Sequence, residues 1–228
     1  MKALVLSSGG VDSTTCIGLA LEKYGAANVS TVAFFYGQKH NKELECATKV
    51  AAHYQVKHYE LNLANILQYS NCPLLAASTE VIPHKSYVDQ IAENGEGMVP
   101  TYVPFRNGLM LSSAASLALS LYPHHEVELF IGAHADDAAG NAYADCTEAF
   151  LSTMGKAIAL GTYEKIKIAA PLAAMNKAQV VKTGLQLKVP YELTWSCYEG
   201  GAIPCGTCGT CIDRANAFKA NGVKDPAL

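Results

Sequence analysis

Residues 7–14 read SSGGVDST and follow the apolar run KALVL at residues 2–6. A short apolar run bounded by turn residues is typical of a buried strand, and the stretch from Asp12 onward is typical of a helix. Gly9 and Gly10 allow the backbone between them to curl and to approach a ligand closely. The free N–H groups and the dipole at a helix start favour an anion. This stretch therefore predicts a strand–loop–helix unit whose loop binds phosphate.

The rest of the chain repeats this alternation of apolar runs and amphipathic stretches. Four more strands are predicted at residues 29–36, 57–63, 126–133 and 165–171, and four more helices at residues 41–55, 107–122, 145–160 and 177–188. Residues 64–105 contain four prolines and are predicted to be irregular, which is typical of a functional or mobile segment. The pattern predicts a single α/β domain over residues 1–228, with a doubly wound, mostly parallel five-stranded sheet.

Composition and charge narrow the classes of function. Half of the 228 residues are hydrophobic, 16% are charged, and the net charge is -3. The chain has no run of Lys or Arg, which disfavours a stable nucleic-acid partner. No apolar stretch is long enough for a transmembrane helix, and the N-terminal residues do not resemble a signal peptide. We therefore expect a cytoplasmic protein without membrane contact, whose eight cysteines are mostly reduced.

The C-terminal tail, residues 195–220, carries a cysteine cluster. Cys205, Cys208 and Cys211 have the spacing C-x2-C-x2-C, and Cys197 lies seven intervening residues upstream. Four thiolates fit a closed tetrahedral zinc site. An iron–sulfur cluster is the alternative, because ferredoxin-type runs use the same spacing. Zinc is favoured, since no further cysteine follows after three residues as it does in those runs.

Several polar residues follow predicted strands, where parallel sheets bind ligands. Gln38, Lys39 and His40 come after the second strand, and His40 is a candidate for proton transfer. Arg106 precedes the apolar helix, and its planar guanidinium suits a phosphate or a carboxylate; the alternative is a surface arginine. Lys177, at the start of the last predicted helix, is either a phosphate partner or a solvated lysine.

Carboxylates follow the fourth predicted strand, in the stretch GAHADDAAGNAYADC at residues 132–146. Asp136, Asp137 and Asp145 would lie near the expected cleft. A carboxylate can accept hydrogen bonds from the amino-pyrimidine edge of a purine-like base. One of these aspartates is therefore a candidate to bind such a base.

The motif S-G-G-x-D-S at residues 8–13 resembles the loop of the N-type ATP pyrophosphatases, or PP-loop enzymes, which split ATP between its α and β phosphates. Three further stretches narrow the resemblance. They are YGQKHNKEL at residues 36–44, TYVPFRNGLMLSSA at residues 101–114 and SCYEGGAIPCGTCGTC at residues 196–211. In this order they are similar to the 7-cyano-7-deazaguanine synthase family, and the resemblance spans residues 3–220.

The resemblance implies an adenine nucleotide alpha hydrolase-like, Rossmann-like fold with a small zinc-binding tail. It also implies an ATP-dependent ligase that joins ammonia to 7-carboxy-7-deazaguanine and makes 7-cyano-7-deazaguanine, through adenylated intermediates and an amide, in queuosine-type biosynthesis. The implied cofactors are Zn²⁺ and Mg²⁺, with ATP as co-substrate. The implied partners are small molecules and a second copy of the chain in a homodimer.

The candidate site residues fall into four sets. ATP would be bound by Ser7, Ser8, Gly9, Gly10, Val11, Asp12, Ser13, Thr14 and Gln38. Catalysis would involve Asp12, Ser13, Arg106 and Lys177. The substrate would be bound by Arg106, Asn107, Asp137 and Asp145. Zinc would be held by Cys197, Cys205, Cys208 and Cys211.

The sequence departs from the family pattern near the expected substrate. Phe105 stands where the family has a glycine. Ala144 stands where the family has a proline and Thr147 where it has an arginine, and the loop that precedes Ala144 is two residues longer. Three alternatives therefore stay open. One is a related enzyme that stops at the amide or acts on another carboxylate. The others are a tRNA-thiolating PP-loop enzyme, which the acidic charge disfavours, and a zinc-stapled binding module without activity, which the intact loop disfavours.

Overall fold

The computed structural model describes residues 1–94 and 97–227. Its strands are β1 (Lys2–Leu6), β2 (Val29–Phe35), β3 (Lys57–Asn62), β4 (Val127–Phe130) and β5 (Ile166–Ala169). They pair in the order β3–β2–β1–β4–β5, and each pair is parallel. The predicted doubly wound, five-stranded α/β fold is confirmed.

Helices connect and flank these strands. They are α1 (Val11–Tyr24), α2 (Lys42–His53), α3 (Ala64–Leu67), α4 (Tyr87–Asn94), α5 (Arg106–Leu121), α6 (Ala135–Ala138), α7 (Glu148–Gly161), α8 (Lys177–Gln186) and α9 (Gly209–Ala220). Helices α3 and α4 lie in the segment that was predicted to be irregular, of which residues 95 and 96 are outside the described residues. The sequence prediction also missed α9. The reason is that its inward face includes a charged residue, Arg214, which interrupts the apolar period.

The sheet is covered on both faces. Leu4 and Leu6 of β1 point to one side, where they pack in a cluster with residues of α5 and α7. Ala3 and Val5 point to the other side, where they pack with residues of α1, α8 and α9. Successive side chains of a strand face opposite sides of a sheet, so a strand buried on both faces is apolar throughout. This accounts for the uninterrupted apolar run that opens the chain.

Strand order places the expected site. The chain leaves β1 toward β2 and β3 on one side, and then returns to add β4 and β5 on the other side. Ligands of such sheets bind in the crevice at the carboxyl ends of the strands where this reversal occurs. The loop after Leu6 and the residues after Phe130 both lie at that crevice. Among the helices of the described residues, none has the length and apolarity needed to span a bilayer.

Candidate functional site

A cavity of about 210 Å³ opens at the carboxyl edge of β1 and β4. The loop between β1 and α1 forms one end, which we call the phosphate end. Residues from the end of β2, the start of α5 and the C-terminal tail form the other, which we call the substrate end. Of the residues predicted to bind ATP, those that line the cavity are Ser7, Ser8, Gly10, Val11, Asp12, Ser13 and Gln38.

Gly9 and Thr14 have supporting positions in the loop. Gly9 has a φ of +73°, and a Cβ added to it would lie 2.4 Å from the carbonyl oxygen of Glu43 and 2.6 Å from the nitrogen of Ala47. Only glycine fits this close contact between the loop and α2. The Thr14 hydroxyl donates to the carbonyl oxygen of Gly10 at 2.7 Å, and Thr14 is fully buried. Both residues therefore shape the loop without lining the cavity.

Asp12 and Lys177 form an ion pair at the phosphate end, where Lys177 Nζ donates to Asp12 Oδ2 at 2.6 Å. Burial alone would raise the pKa of Asp12, but the charges of Lys177 and His134 outweigh it and hold that pKa below its ordinary value. Burial would likewise lower the pKa of Lys177, but Asp12 and Asp137 raise it. Both partners are therefore charged at neutral pH, and the ammonium group faces the cavity.

His134 joins this group, although it is not among the site residues predicted from the sequence. Its side chain is only 3% exposed. Its Nε2 lies 3.3 Å from Lys177 Nζ and 3.4 Å from Asp137 Oδ2. Burial raises the pKa of Asp137, although His134 and Lys177 oppose that shift. The signal that could have found this position is a histidine close to two aspartates, directly after the predicted fourth strand.

Arg106 lines the cavity at the substrate end. Its Nη1 donates to the Tyr36 hydroxyl at 3.2 Å, and its guanidinium carbon lies 5.3 Å from the centroid of that ring. The residue before it, Phe105, has a φ of +51°, and its ring covers Gly108, where an added Cβ would lie 2.3 Å from the ring. The start of α5 thus fixes the arginine against an aromatic wall.

Asp145 lies beside the first turn of α5 and does not line the cavity. Its Oδ2 accepts the backbone N–H of Asn107 at 2.8 Å, and the residue is 3% exposed. The Asn107 side chain, which does line the cavity, donates to Cys146 Sγ at 3.2 Å. The structure therefore brings Arg106, Asn107 and Asp137 to the cavity and places Asp145 as support for the first turn of α5.

The residues after β2 have three different positions. Gln38 accepts the Tyr36 N–H at 2.8 Å and donates to the carbonyl oxygen of Phe34 at 3.3 Å, so that it fixes the turn beside the cavity. Lys39 donates to the carbonyl oxygen of Glu80. The His40 ring lies so close to Gly200 that an added Cβ there would be 2.3 Å from it. Neither Lys39 nor His40 lines the cavity.

Three tyrosines at the substrate end were not expected from the sequence. Tyr87 and Tyr198 share a hydrogen bond of 2.8 Å between their hydroxyls. Tyr87 also packs edge-to-face on Tyr143, with ring centroids 6.0 Å apart, and the Tyr143 hydroxyl lies 2.6 Å from that of Thr101. They come from α4, from the long loop after α6 and from the tail. These segments lie far apart in the sequence, so only the fold brings the rings together.

The four tail cysteines converge, as the spacing predicted. Their sulfurs all lie within 4.8 Å of one another. Backbone N–H groups of Cys205 and Cys208 donate to the sulfurs of Cys197 and Cys205, both at 3.3 Å. A hydrogen bond from Cys211 lowers the pKa of Cys208 to about 5. A tetrahedral zinc ion with Zn–S bonds of about 2.3 Å holds its sulfurs about 3.8 Å apart, so this cluster can hold a metal and fits zinc.

Comparisons with known proteins agree with these features. A family model described as Queuosine biosynthesis protein QueC matches residues 2–222. The 7-cyano-7-deazaguanine synthase of Archaeoglobus fulgidus is 41% identical over 229 residues, covering 100% of this chain and 90% of the relative. That of Caldicellulosiruptor saccharolyticus is 41% identical over 226 residues, covering 99% of this chain and 94% of the relative. That of Methanoregula boonei is 37% identical over 226 residues, covering 99% and 98%.

The resemblance found in the sequence motifs is confirmed, because the family match extends from β1 into the residues after α9. The relatives match along nearly their whole length as well as along nearly the whole of this chain. The chain belongs to the QueC family of queuosine biosynthesis proteins.

Proposed function

We propose that this protein is an ATP-dependent 7-cyano-7-deazaguanine synthase, which uses ammonia to convert the carboxyl group of 7-carboxy-7-deazaguanine into a nitrile. Family membership supports the substrate, since the relatives above carry the name of that activity. The observation that carries the proposal is one cavity that is lined by the β1–α1 loop and Lys177 at one end and by Arg106 at the other. ATP and a carboxylate can therefore meet within it.

At the phosphate end, the loop would hold the departing pyrophosphate. Ser8 and Ser13 lie 3.2 Å apart through their hydroxyls and face the cavity. Lys177, oriented by Asp12, would offset the negative charge that builds on the leaving group. Asp12 Oδ1 is buried without a hydrogen-bond partner, so it fits a contact with Mg²⁺ carried on the phosphates. When bound, that ion would supply further charge stabilisation.

At the substrate end, Arg106 would grip the carboxylate bidentately. The three tyrosines would enclose the planar base, since aromatic rings pack well on flat ring systems. Asp137 would accept hydrogen bonds from the amino group of the base. Asp145 would act indirectly, by holding the start of α5 and with it Arg106 and Asn107.

The chemistry requires two activations. A carboxylate does not react with ammonia, because oxide is not a leaving group. Transfer of AMP to one carboxylate oxygen provides a leaving group, and attack by ammonia then gives the amide and AMP. A second transfer of AMP to the amide oxygen lets that oxygen depart as well and leaves the nitrile. Each AMP thus leaves with one of the two carboxylate oxygens, and one cavity must serve both steps.

Mass spectrometry tests this function. The protein is incubated with 7-carboxy-7-deazaguanine, ATP, Mg²⁺ and ammonium, and the base, AMP and pyrophosphate are quantified. We expect the nitrile, with two ATP consumed for each base converted. A ratio near one, with amide accumulating and no nitrile formed from added amide, would instead show an amide synthase. Absence of any base-dependent pyrophosphate release would contradict the proposal as a whole.

The proposed metal is zinc in the four-cysteine cluster, and the proposed assembly is a homodimer of small-molecule-binding subunits. The cluster geometry supports the metal, and the family resemblance supports the dimer. Metal analysis and sedimentation velocity would test them separately.

A further inference from the structure

Glu43 lies in the cavity wall, and the mechanism above gives it no role. It belongs to the first turn of α2, and its carbonyl oxygen is the atom that an added Cβ on Gly9 would meet at 2.4 Å. Its backbone therefore touches the phosphate loop, and its carboxylate lies within the electrostatic influence of Arg106. Glu43 thus borders both the loop and Arg106, between which the α-phosphate and the reacting carboxyl group would meet.

Glu43 differs from the other carboxylates of the cavity. Asp12 is paired with Lys177, Asp137 lies 3.4 Å from His134, and Asp213 is influenced by the same two residues, Lys177 and His134. Within residues 1–94 and 97–227, no ion pair of 4.0 Å or less joins Glu43 to a cation. It is thus a carboxylate of the substrate end that no neighbouring cation neutralises directly.

Three charged or titratable groups face Glu43 from the surrounding elements. They are Arg106 of α5, His40 of the preceding loop and Tyr36 at the end of β2. Burial raises the pKa of Glu43 above its ordinary value, and Arg106 and His40 oppose this only in part. A carboxylate shifted in that direction is a better proton acceptor near neutral pH than an exposed one.

The proposed reaction needs such an acceptor. The nitrogen enters as ammonia with three hydrogens and ends in a nitrile with none. One proton leaves when ammonia displaces AMP and the amide forms. The two remaining protons leave after the amide oxygen is adenylated. The last of them leaves as the C–O bond to AMP breaks and the carbon–nitrogen bond becomes a triple bond. All three leave from a nitrogen attached to the carbon that Arg106 presents.

We propose that Glu43 is the catalytic residue that accepts protons from this nitrogen. The inference rests on the proposed function and extends it. Its carboxylate takes each proton as the nitrogen gains bonds to carbon, and solvent then removes the proton before the next step. Adenylation of the substrate carboxylate involves no N–H bond, so it does not depend on Glu43.

Two half-reactions separate this role from a structural one. Exchange of pyrophosphate into ATP that depends on 7-carboxy-7-deazaguanine reports adenylation alone. Nitrile formation from added amide reports proton removal. This step consumes no ammonia, so the protonation of ammonia does not affect its pH dependence. For Glu43→Gln we expect exchange near the wild-type rate, with nitrile formation slowed about 10²–10⁴-fold. Glu43→Asp should recover part of the loss. Glu45→Gln is the matched control, because Glu45 is an exposed glutamate in the same helical turn.

The pH profile gives a second measurement. Nitrile formation by the wild type should fall as the pH drops through the pKa of Glu43, because the protonated carboxyl cannot accept. The residual rate of Glu43→Gln should lack that limb. The proposal is overturned if exchange falls as far as nitrile formation does, or if Glu43→Gln makes nitrile normally. A wild type that makes neither amide nor nitrile would overturn the proposed function with it.

Discussion

Asp12 forms an ion pair with Lys177 at the phosphate end of the cavity. It holds Lys177 at 2.6 Å and keeps a second, buried oxygen without a partner. Asp12→Asn preserves the shape but removes the charge, so Lys177 loses its orientation and the charge balance at the phosphates changes. We expect pyrophosphate release to slow about 10²–10³-fold, as when one preorganised group of an active site is lost. Pyrophosphate release and circular dichroism of the same preparation measure activity and folding.

Asp136→Asn is the control for this variant. Asp136 is exposed, and its carboxylate accepts the backbone N–H of Lys177 at 2.7 Å, a role that an asparagine oxygen can keep. Its pyrophosphate release should therefore be close to that of the wild type. Normal release by folded Asp12→Asn would refute the role assigned to the loop aspartate.

The departures from the family pattern are also residue-scale features. Phe105 occupies a left-handed conformation that glycine would adopt without strain, but its ring covers Gly108 and packs edge-to-face on Phe150 at 5.8 Å. Thr147 caps α7, since its hydroxyl accepts the N–H of Phe150 at 3.2 Å. Nothing in the structure explains Ala144. Two of the three departures thus concern the local packing of α5 and α7.

Among the elements, the C-terminal tail, which includes α9, brings a metal-binding cluster and a cavity wall together. Cys197 adjoins Tyr198, whose hydroxyl meets Tyr87 of α4. We expect one zinc ion per chain, and we expect Cys208→Ser to lose it, since structural zinc contributes on the order of 10 kcal/mol to small metal-dependent folds. Loss of the metal should loosen Tyr198 and raise the KM for the base more than the KM for ATP. Metal analysis and steady-state kinetics measure both effects.

Cys46→Ser is the control for the zinc variant, because Cys46 lies on α2 outside the cluster. It should retain the full zinc content. Iron in place of zinc, with the colour of an iron–sulfur cluster in protein prepared without air, would contradict the assignment of the metal.

Local elements could be predicted from the sequence, whereas the tertiary contacts between them could not. The unit β1–loop–α1 and the cysteine spacing carry their signals within a few residues. Helix α9 was missed because its inward Arg214 breaks the apolar pattern. The tyrosines of the substrate end come from three segments that lie far apart in the sequence, and Glu43 resembles any glutamate in a first helical turn. Their shared cavity is a consequence of tertiary packing alone.

At the scale of the whole molecule, a buried ion pair joins Arg214 of α9 to Asp225, in the residues that follow this helix. Arg214 Nε donates to Asp225 Oδ2 at 2.5 Å, Nη2 donates to Oδ1 at 2.8 Å, and both side chains are under 10% exposed. Asp225→Ala leaves a buried guanidinium without its counter-charge, so we expect the free energy of unfolding to fall by about 3–5 kcal/mol. Urea denaturation measures this loss.

The surface pair Lys23–Glu128 provides the comparison. The Lys23 side chain is 55% exposed, so Lys23→Ala should cost less than about 1 kcal/mol. Equal losses in the two variants would mean that burial does not determine the contribution of the Arg214–Asp225 pair.

The loop that would hold pyrophosphate is contacted by a residue that lies far from it in the sequence. The backbone N–H of Trp195 donates to the carbonyl oxygen of Gly9 at 2.9 Å. Ribosomes synthesise a chain from its N-terminus onward, so the glycine loop emerges from the ribosome long before Trp195 is made. A nascent chain can form its first strands early, but this loop gains the contact only after Trp195 has been made. A product terminated before Trp195 would therefore lack this contact, even if its sheet had folded.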